Sequence, residues 1–153
     1  MSISNANLKP SAQAAIVGAI DPDVTTASTV TTGWIDASEF KAFMGVVMAG
    51  TLGTSATVDA KFEQATDSSG TGAKDVSGTD ITQLTQAGTD SDKQAVINVT
   101  QEDLDIANSF THIRLSVTVG TATSDAGALV LGFYPSYGPA SDNDASTVDE
   151  IVN

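Results

Sequence analysis

Apolar and polar side chains alternate most regularly in residues 112–119, at the start of the segment 110–134. This period of two predicts a half-buried strand, and its buried side would carry Ile113, Leu115, Val117 and Val119. The later residues 128–134 form an almost continuous apolar run, which is typical of a strand buried on both faces. Because the connector, residues 120–127, contains only small or polar residues, we predict that the two strands form a β-hairpin in an antiparallel fold.

A second hairpin is predicted earlier in the chain. Residues 40–52 favour a buried central strand over a helix, because Gly45 and the pair Val46-Val47 disfavour helix. In residues 56–64 the inward positions would be Val58, Ala60 and Phe62. The turn residues 53–55 would join these two strands.

The remaining segments are shorter. Residues 81–86 and 95–99 favour strands, and residues 66–80 form a long loop of turn-forming residues. Thr100 followed by Glu102 and Asp103 predicts a helix N-cap and one helical turn through Ile106. Six to eight strands with no recurring helix between them predict an all-β fold, an antiparallel β-sandwich. A jelly roll is one form of that sandwich, and a barrel is the alternative.

The pattern divides the chain into three parts. Residues 1–32 are predicted to be an N-terminal arm, either mobile or docked on the domain or a neighbouring subunit. Residues 33–140 would form the β-sandwich domain. Residues 141–153 contain four acids and no base, so we expect an acidic C-terminal tail that is flexible or becomes ordered on a partner. The weak apolar run at 14–20 lacks the basic start of a secretory signal.

Charge limits the possible partners. The 153 residues include 19 acidic and 6 basic side chains, for a net charge of −13. Nucleic acid and anionic membrane surfaces are therefore disfavoured, because both are bound through clustered Lys and Arg. No apolar run is long enough to span a membrane. The chain has no cysteine, so it has no disulfide and no thiolate chemistry.

Candidate catalytic groups are few. His112 is the only histidine, and it falls on the polar side of its strand, where we expect a surface residue without a partnered nucleophile. Residues 68–74 resemble a phosphate-binding loop but lack the G-x-x-x-x-G-K-[ST] spacing, and a flexible β-loop fits them better. We therefore predict no catalytic, cofactor-binding or metal-binding residues.

Two weaker alternatives concern ligands. Paired acids could supply oxygen ligands to calcium, although none matches an EF-hand loop and solvated turns are the favoured interpretation. These pairs are Asp90/Asp92, Asp103/Asp105 and Asp142/Asp144. Trp34 and Tyr137 could stack on sugars, although a lone Trp is more often in a core or an interface.

Two motifs carry a family resemblance. One is the strand Ile35-Asp36-Ala37-Ser38-Glu39-Phe40, and the other is the segment 113–135, with Arg114 and the VLGF sequence inside it. Together with segments 75–86 and 89–99, they make residues 33–140 similar to small head-associated structural proteins of tailed bacteriophages and gene transfer agents.

The resemblance implies a virion structural protein on the exterior of a phage-like capsid, either a decoration (cement) protein or the base of a head spike. Its expected partners are the major capsid protein, further copies of itself as a trimer or pentamer, and a spike or fibre protein. It would be assembled in the bacterial host cytoplasm. The resemblance implies no active site and no cofactor. The alternative is a tail or spike module that binds host surface glycans through loops such as residues 66–80.

Overall fold

Two antiparallel β-sheets pack face to face in the computed structural model, which describes residues 8–153. The ten strands of the described chain are β1 (Ala14–Thr25), β2 (Ser28–Thr31), β3 (Ile35–Asp36), β4 (Phe40–Ala49), β5 (Thr57–Ala65), β6 (Lys74–Asp75), β7 (Leu84–Thr85), β8 (Gln94–Thr100), β9 (His112–Gly120) and β10 (Ser124–Pro135). The helical segments are short: α1 (Pro10–Gln13) and the 3-10 turns Gln101–Asp103, Ile106–Asn108 and Ala140–Asn143. Within residues 8–153, no helix has the length and apolarity of a membrane span.

The strand order identifies the fold as a jelly roll. Sheet A has the order β1-β10-β4-β8, and sheet B has the order β2-β9-β5-β6, with β3 beside β9 and β7 beside β5. Most successive long strands therefore lie in opposite sheets, which is the connectivity of a double-sheet jelly roll. The predicted all-β, antiparallel β-sandwich is confirmed, in its jelly-roll form.

Both predicted hairpins are wrong in their pairing. Strand β9 pairs with β5 in sheet B, whereas β10 pairs with β1 and β4 in sheet A. Strands β4 and β5 are likewise in opposite sheets. The β9–β10 connection is only residues 121–123, because β10 already begins at Ser124. After β4 and after β9 the chain passes to the opposite sheet instead of turning back beside the strand that it has just formed.

Alternating side chains of the two sheets form the core. Sheet B contributes Ile113, Leu115, Val117 and Val119 from β9, all 0% or 1% exposed, as their spacing predicts. Val58, Ala60 and Phe62 of β5 are also buried as predicted. Sheet A contributes Phe43, Val47 and Val130. This burial of aliphatic and aromatic surface is the main stabilising contribution in a chain without disulfides.

Side chains near the sheet ends hold the connections in place. Thr100 and Asp103 form the predicted N-terminal cap, with Asp103 Oδ2 accepting a hydrogen bond from the Thr100 backbone N–H at 2.7 Å. In the turn that follows, Gln101 Nε2 donates to the carbonyl oxygens of Ala37 and Phe40, both at 2.8 Å. The start of β4 is therefore tied to the end of β8.

The two terminal segments contact the sandwich. From Ala14 to Thr31 the predicted arm forms β1 and β2, which pair with β10 and β9 of this same chain; residues 1–7 lie outside the described range. At the other end, Asp144 Oδ1 accepts a hydrogen bond from the Ile16 N–H at 2.8 Å, and the Ala145 N–H donates to the Ile16 carbonyl at 2.7 Å. Residues 144–145 therefore occupy part of the free edge of β1.

Candidate interaction surfaces

The outer surface of sheet A is apolar and carries no charge over most of its area. Antiparallel register places Val46 of β4 between Leu129 of β10 and Val96 of β8, with Ala19 of β1 beyond Leu129. We call this surface the apolar face, and define it by Ile16, Ala19, Met44, Val46, Met48, Val96, Leu129, Leu131 and Phe133. The other outward positions paired with residues 42–48 of β4 are also uncharged, and include Gln94, Asn98 and Thr100.

The apolar face is distinct from the core. Val47 and Val130 point inward and are 0% exposed, whereas Val96 and Met48 are 56% and 43% exposed. The remaining large residues of the face are half-buried. An open sandwich sheet ordinarily alternates apolar inward and polar outward positions. Sheet A keeps its apolar side chains on both surfaces.

Sheet B has a charged outer surface instead. Arg114 of β9 donates from Nε to Glu63 Oε2 at 2.6 Å, and its guanidinium lies over the Trp34 ring. Lys61 and Asp75 form a second ion pair at 2.8 Å, and the hydrogen bond to Asp75 raises the pKa of Lys61. The two surfaces of the sandwich therefore differ strongly in polarity.

Trp34 has a structural position. Arg114 covers one part of the ring, and an ideal Cβ built on Gly70 would lie 2.6 Å from the Trp34 Nε1 atom. Gly70 also has a φ of +84°, so glycine suits this position on two counts. Trp34 thus holds the loop 66–73 against sheet B.

His112 lies half-buried at the start of β9. Its Nδ1 atom is 2.9 Å from the hydroxyl of the adjacent Thr111, and that hydroxyl also donates to the Thr66 carbonyl at 3.2 Å. Glu39 is nearby: burial and the charge of Asp36 raise its pKa, and His112 opposes that change. The backbone pairing of His112 with Asp36 makes this a junction between β3 and β9.

The loop that resembles a phosphate cradle is filled by its own side chains. Asp67 Oδ1 accepts hydrogen bonds from the N–H groups of Ser69 and Thr71. The pKa of Asp67 is lowered chiefly by hydrogen bonding to the Thr71 side chain, and then by the bond from the Thr71 backbone. Further along, Val76 is fully buried and Thr79 is 4% exposed. Residues 66–80 were predicted only as a long loop, and the structure adds that Val76 of this segment packs into the core.

The paired acids have separate roles. Asp90 accepts a hydrogen bond from the Thr85 N–H and forms an ion pair with Lys93. Both contacts lower the pKa of Asp90, and the bond from Thr85 is the larger cause. Asp105 forms an ion pair with Lys74. Asp144 accepts a hydrogen bond from the Ile16 N–H. Among residues 8–153, no group of three or more His, Asp or Glu side chains is arranged to hold a metal ion.

A groove of about 640 Å³ lies beside the apolar face. Its lining includes Leu8 and Pro10 from the N-terminal part and Phe133, Tyr134 and Pro139 from β10 and the segment after it. Tyr134 is 69% exposed and has a φ of +56°, which is unusual for an aromatic residue. Tyr137, a sugar-stacking candidate from the sequence, is 85% exposed nearby in the chain.

The apolar face and the groove are the features that the sequence did not predict. Residues 40–52 were predicted to form a buried central strand, and residues 128–134 a strand buried on both faces. The second prediction is wrong, because Leu129, Leu131 and Phe133 alternate with buried residues and are only half-buried. One signal was available: Val96 occupies a polar position of the alternating segment 94–100, between Gln94 and Asn98.

Comparisons with known proteins concern the fold. No protein-family model matches the chain, and a comparison with curated proteins finds no match. Among solved structures, the Gx strain of infectious bursal disease virus is similar with a TM-score of 0.49 and 15% identity, covering 84% of this chain and 35% of that chain. The cowpea mosaic virus top component follows with a TM-score of 0.42 and 10% identity, covering 81% and 83%.

The neighbours are not all viral. PirA matches with a TM-score of 0.39 and 12% identity, covering 76% of this chain and 89% of that chain. The chain spans about a third of the length of the first virus structures that it matches. Virus particles are thus among the structures with a similar fold, at identities that describe the fold alone.

Proposed function

We propose that this protein is a structural component of a virion, bound to the exterior of a phage-like capsid as a decoration protein or as the base of a head spike. The observation that carries the proposal is the apolar face. Monomeric soluble proteins rarely expose a continuous apolar patch of this kind. This chain has a net charge of −13 but leaves one surface uncharged, and we expect that surface to be buried in an assembly.

The arrangement of the family-like motifs supports the virion assignment. Ile35 of the first motif pairs with Ile113 of the second, and Asp36 pairs with His112. Both isoleucines and Phe40 are buried. The two motifs therefore form one structural unit of the jelly roll, as expected if the resemblance reflects a shared fold.

The charge distribution agrees with an exterior position. Packaged DNA would repel a strongly acidic protein, and this chain has a net charge of −13. Jelly rolls form viral capsid domains as well as lectin domains and cupins, so the fold is compatible with this role without specifying it. The proposal assigns no catalytic step to the chain.

Cryo-electron microscopy of virions from the encoding phage or prophage tests this proposal. We expect density for the jelly roll at symmetric positions on the head, and the protein among the head proteins by mass spectrometry. A binding assay gives a second measurement, because purified protein should co-sediment with shells assembled without it. Recovery of the protein only with tails, or not with virions at all, would reject the capsid assignment.

A second candidate function is a tail or spike module that binds host glycans. The observation in its favour is the groove beside Tyr134, because exposed aromatic rings next to a concave surface can stack on sugars. A glycan array of host polysaccharides tests it, with Tyr134→Ser and Tyr137→Ser as variants. Retention of glycans by the wild type and loss in both variants would support this function, and failure to retain any would reject it.

A further inference from the structure

We infer that the apolar face is the contact between two copies of this chain, which pack sheet A against sheet A about a twofold axis. This inference adds a self-contact to the proposed structural role, and its biological relevance rests on that proposed function. Its physical basis is the size, neutrality and position of the face.

The area of the face suits a pair of subunits. Strands β10, β4 and β8 share a register over residues 42–48 of β4, and β1 adds a fourth strand. With strands about 4.8 Å apart and a rise of about 3.3 Å per residue, the face measures about 20 Å by about 20 Å. Two copies would cover about 800 Å² of flat area, and side-chain relief raises this toward roughly 1,000 Å², which is the size of a weak, reversible dimer and below the roughly 1,200 Å² of stable interfaces.

The absence of charge on these outward positions favours a like partner. Two copies that each carry −13 repel one another wherever their acidic surfaces meet. A contact through the apolar face keeps most acidic groups out of the interface and so lessens that repulsion, and depletion of charge is the compositional mark of an interface core. The acidic groups nearest to the face lie at its margin, with Asp92 and Asp125 beside Met48 and Asp144 bonded to the Ile16 N–H, so a basic partner would find no acid across the face itself.

One row of residues that crosses the four strands of sheet A suggests how the two copies would be arranged. Val46 and Leu129 lie on the two central strands of sheet A, with Val96 on one outer strand and Ala19 on the other. A twofold axis between Val46 and Leu129 would bring each row against its own copy in an isologous contact. Sheets packed in this way lie about 10 Å apart. The groove beside Phe133 would then extend from the edge of the contact.

Two exposed positions allow a test that leaves the core intact. The double variant Val96→Glu/Met48→Glu places carboxylates on the face, at side chains that are 56% and 43% exposed. The control is Ile106→Glu, at a side chain that is 60% exposed in the turn between β8 and β9. Circular dichroism and thermal unfolding of all three proteins establish that each is folded.

The measurement is the mass in solution by analytical ultracentrifugation and native mass spectrometry. We expect the wild type and Ile106→Glu to have twice the mass of one chain and the double variant to be monomeric, whereas a trimer or pentamer would contradict a twofold contact. Dimerisation should also strengthen as NaCl rises from about 20 mM to about 500 mM, since the Debye length falls from about 20 Å to about 4 Å and screens the repulsion.

Three outcomes would overturn the inference: a monomeric wild type at high concentration, a double variant that keeps the wild-type mass, or association that weakens with salt. Binding to capsid shells is measured separately. A monomeric protein that binds shells through the apolar face would reject the dimer and leave the virion role intact. A dimer that binds no shell and is missing from virions would support the dimer and reject the virion role.

Discussion

The guanidinium of Arg114 lies over the indole ring of Trp34, with Cζ 4.5 Å from the ring centroid. The same side chain donates to Glu63, so one residue connects β9, β5 and the segment before β3. Both side chains of the ion pair are partly buried, 28% exposed for Arg114 and 18% for Glu63. The contact therefore joins a family-like residue to the packing of sheet B.

Arg114→Ala should lower the free energy of unfolding by about 1 to 3 kcal/mol, because Glu63 loses its charged partner and the Trp34 ring loses a cation. Arg114→Lys should recover part of this loss, since it keeps the charge but not the planar fork. Urea denaturation followed by circular dichroism measures both variants. An Arg114→Ala protein as stable as the wild type would show that the contact is not stabilising.

Gly132 is required by the close approach of Phe40. An ideal Cβ at this position would lie 2.6 Å from ring carbons of Phe40, whose side chain is fully buried. We expect Gly132→Ala to cost about 1 to 3 kcal/mol through overpacking. The matched control is Gly33→Ala, where no atom lies within 4 Å of the added Cβ. Equal melting temperatures for the two variants would contradict this packing.

Thr79 holds the end of the long loop to β5. Its hydroxyl accepts a hydrogen bond from the Phe62 N–H at 3.1 Å and donates to the Val76 carbonyl at 2.8 Å. Thr79→Val keeps the shape but leaves these buried groups unsatisfied, so we expect a loss of about 1 to 3 kcal/mol.

The control for that variant is Thr118→Val, which removes an exposed hydroxyl bonded to Thr29. It should change stability by less than about 0.5 kcal/mol. Hydrogen exchange of the Phe62 amide gives a local measurement: faster exchange is expected only in Thr79→Val. Unchanged protection there would mean that Thr79 does not anchor the loop.

The ion pair of Asp105 should make stability depend on pH in the acid range. Lys74, and then Asn108, lower the pKa of Asp105 below its ordinary value of 3.8. A carboxylate whose pKa is lowered by folding stabilises the fold above its unfolded pKa, and that contribution is lost as the pH falls through the folded pKa. Asp105→Asn should therefore be less stable than the wild type near pH 7, with a difference that shrinks below pH 3.8.

Denaturation of Asp105→Asn at a series of pH values measures this difference. Asp149→Asn serves as the control, because it removes one negative charge from an exposed position in the C-terminal segment. A difference between Asp105→Asn and the wild type that stays constant from neutral to acid pH would show that the ion pair is not its source.

Local patterns predicted the strands, and distant contacts decided how those strands pair. The alternation of Ile113, Leu115 and Val117 depends only on strand geometry, so the buried face of β9 was predicted correctly. Whether residues 121–123 turn back within one sheet or cross to the other depends on partners such as Ala60 of β5 and Ile20 of β1. These partners are far away in the sequence, and a short polar connector fits both paths.

The apolar face was missed for a related reason. A sequence does not distinguish an apolar residue on the outer surface of a sheet from one in the core. Met44 and Val46 can be assigned to the outer surface only when it is known which side of sheet A the second sheet covers. Val96 was visible as an exception to the alternation, but a single exception is common on protein surfaces. Its meaning depends on Leu129 and Val46, which register brings beside it.

The pairing of β1 with β10 has a consequence for the order of folding. The first long strand completes its main ladder only with the last one, from Ala14 beside Phe133 to Thr25 beside Ser124. A ribosome must therefore release nearly the whole domain before sheet A can close, and until then β4 has no β10 beside it. Pairings this distant in the chain slow folding. Newly made chains should pass through an interval in which their apolar strands are open to chaperones, or to one another.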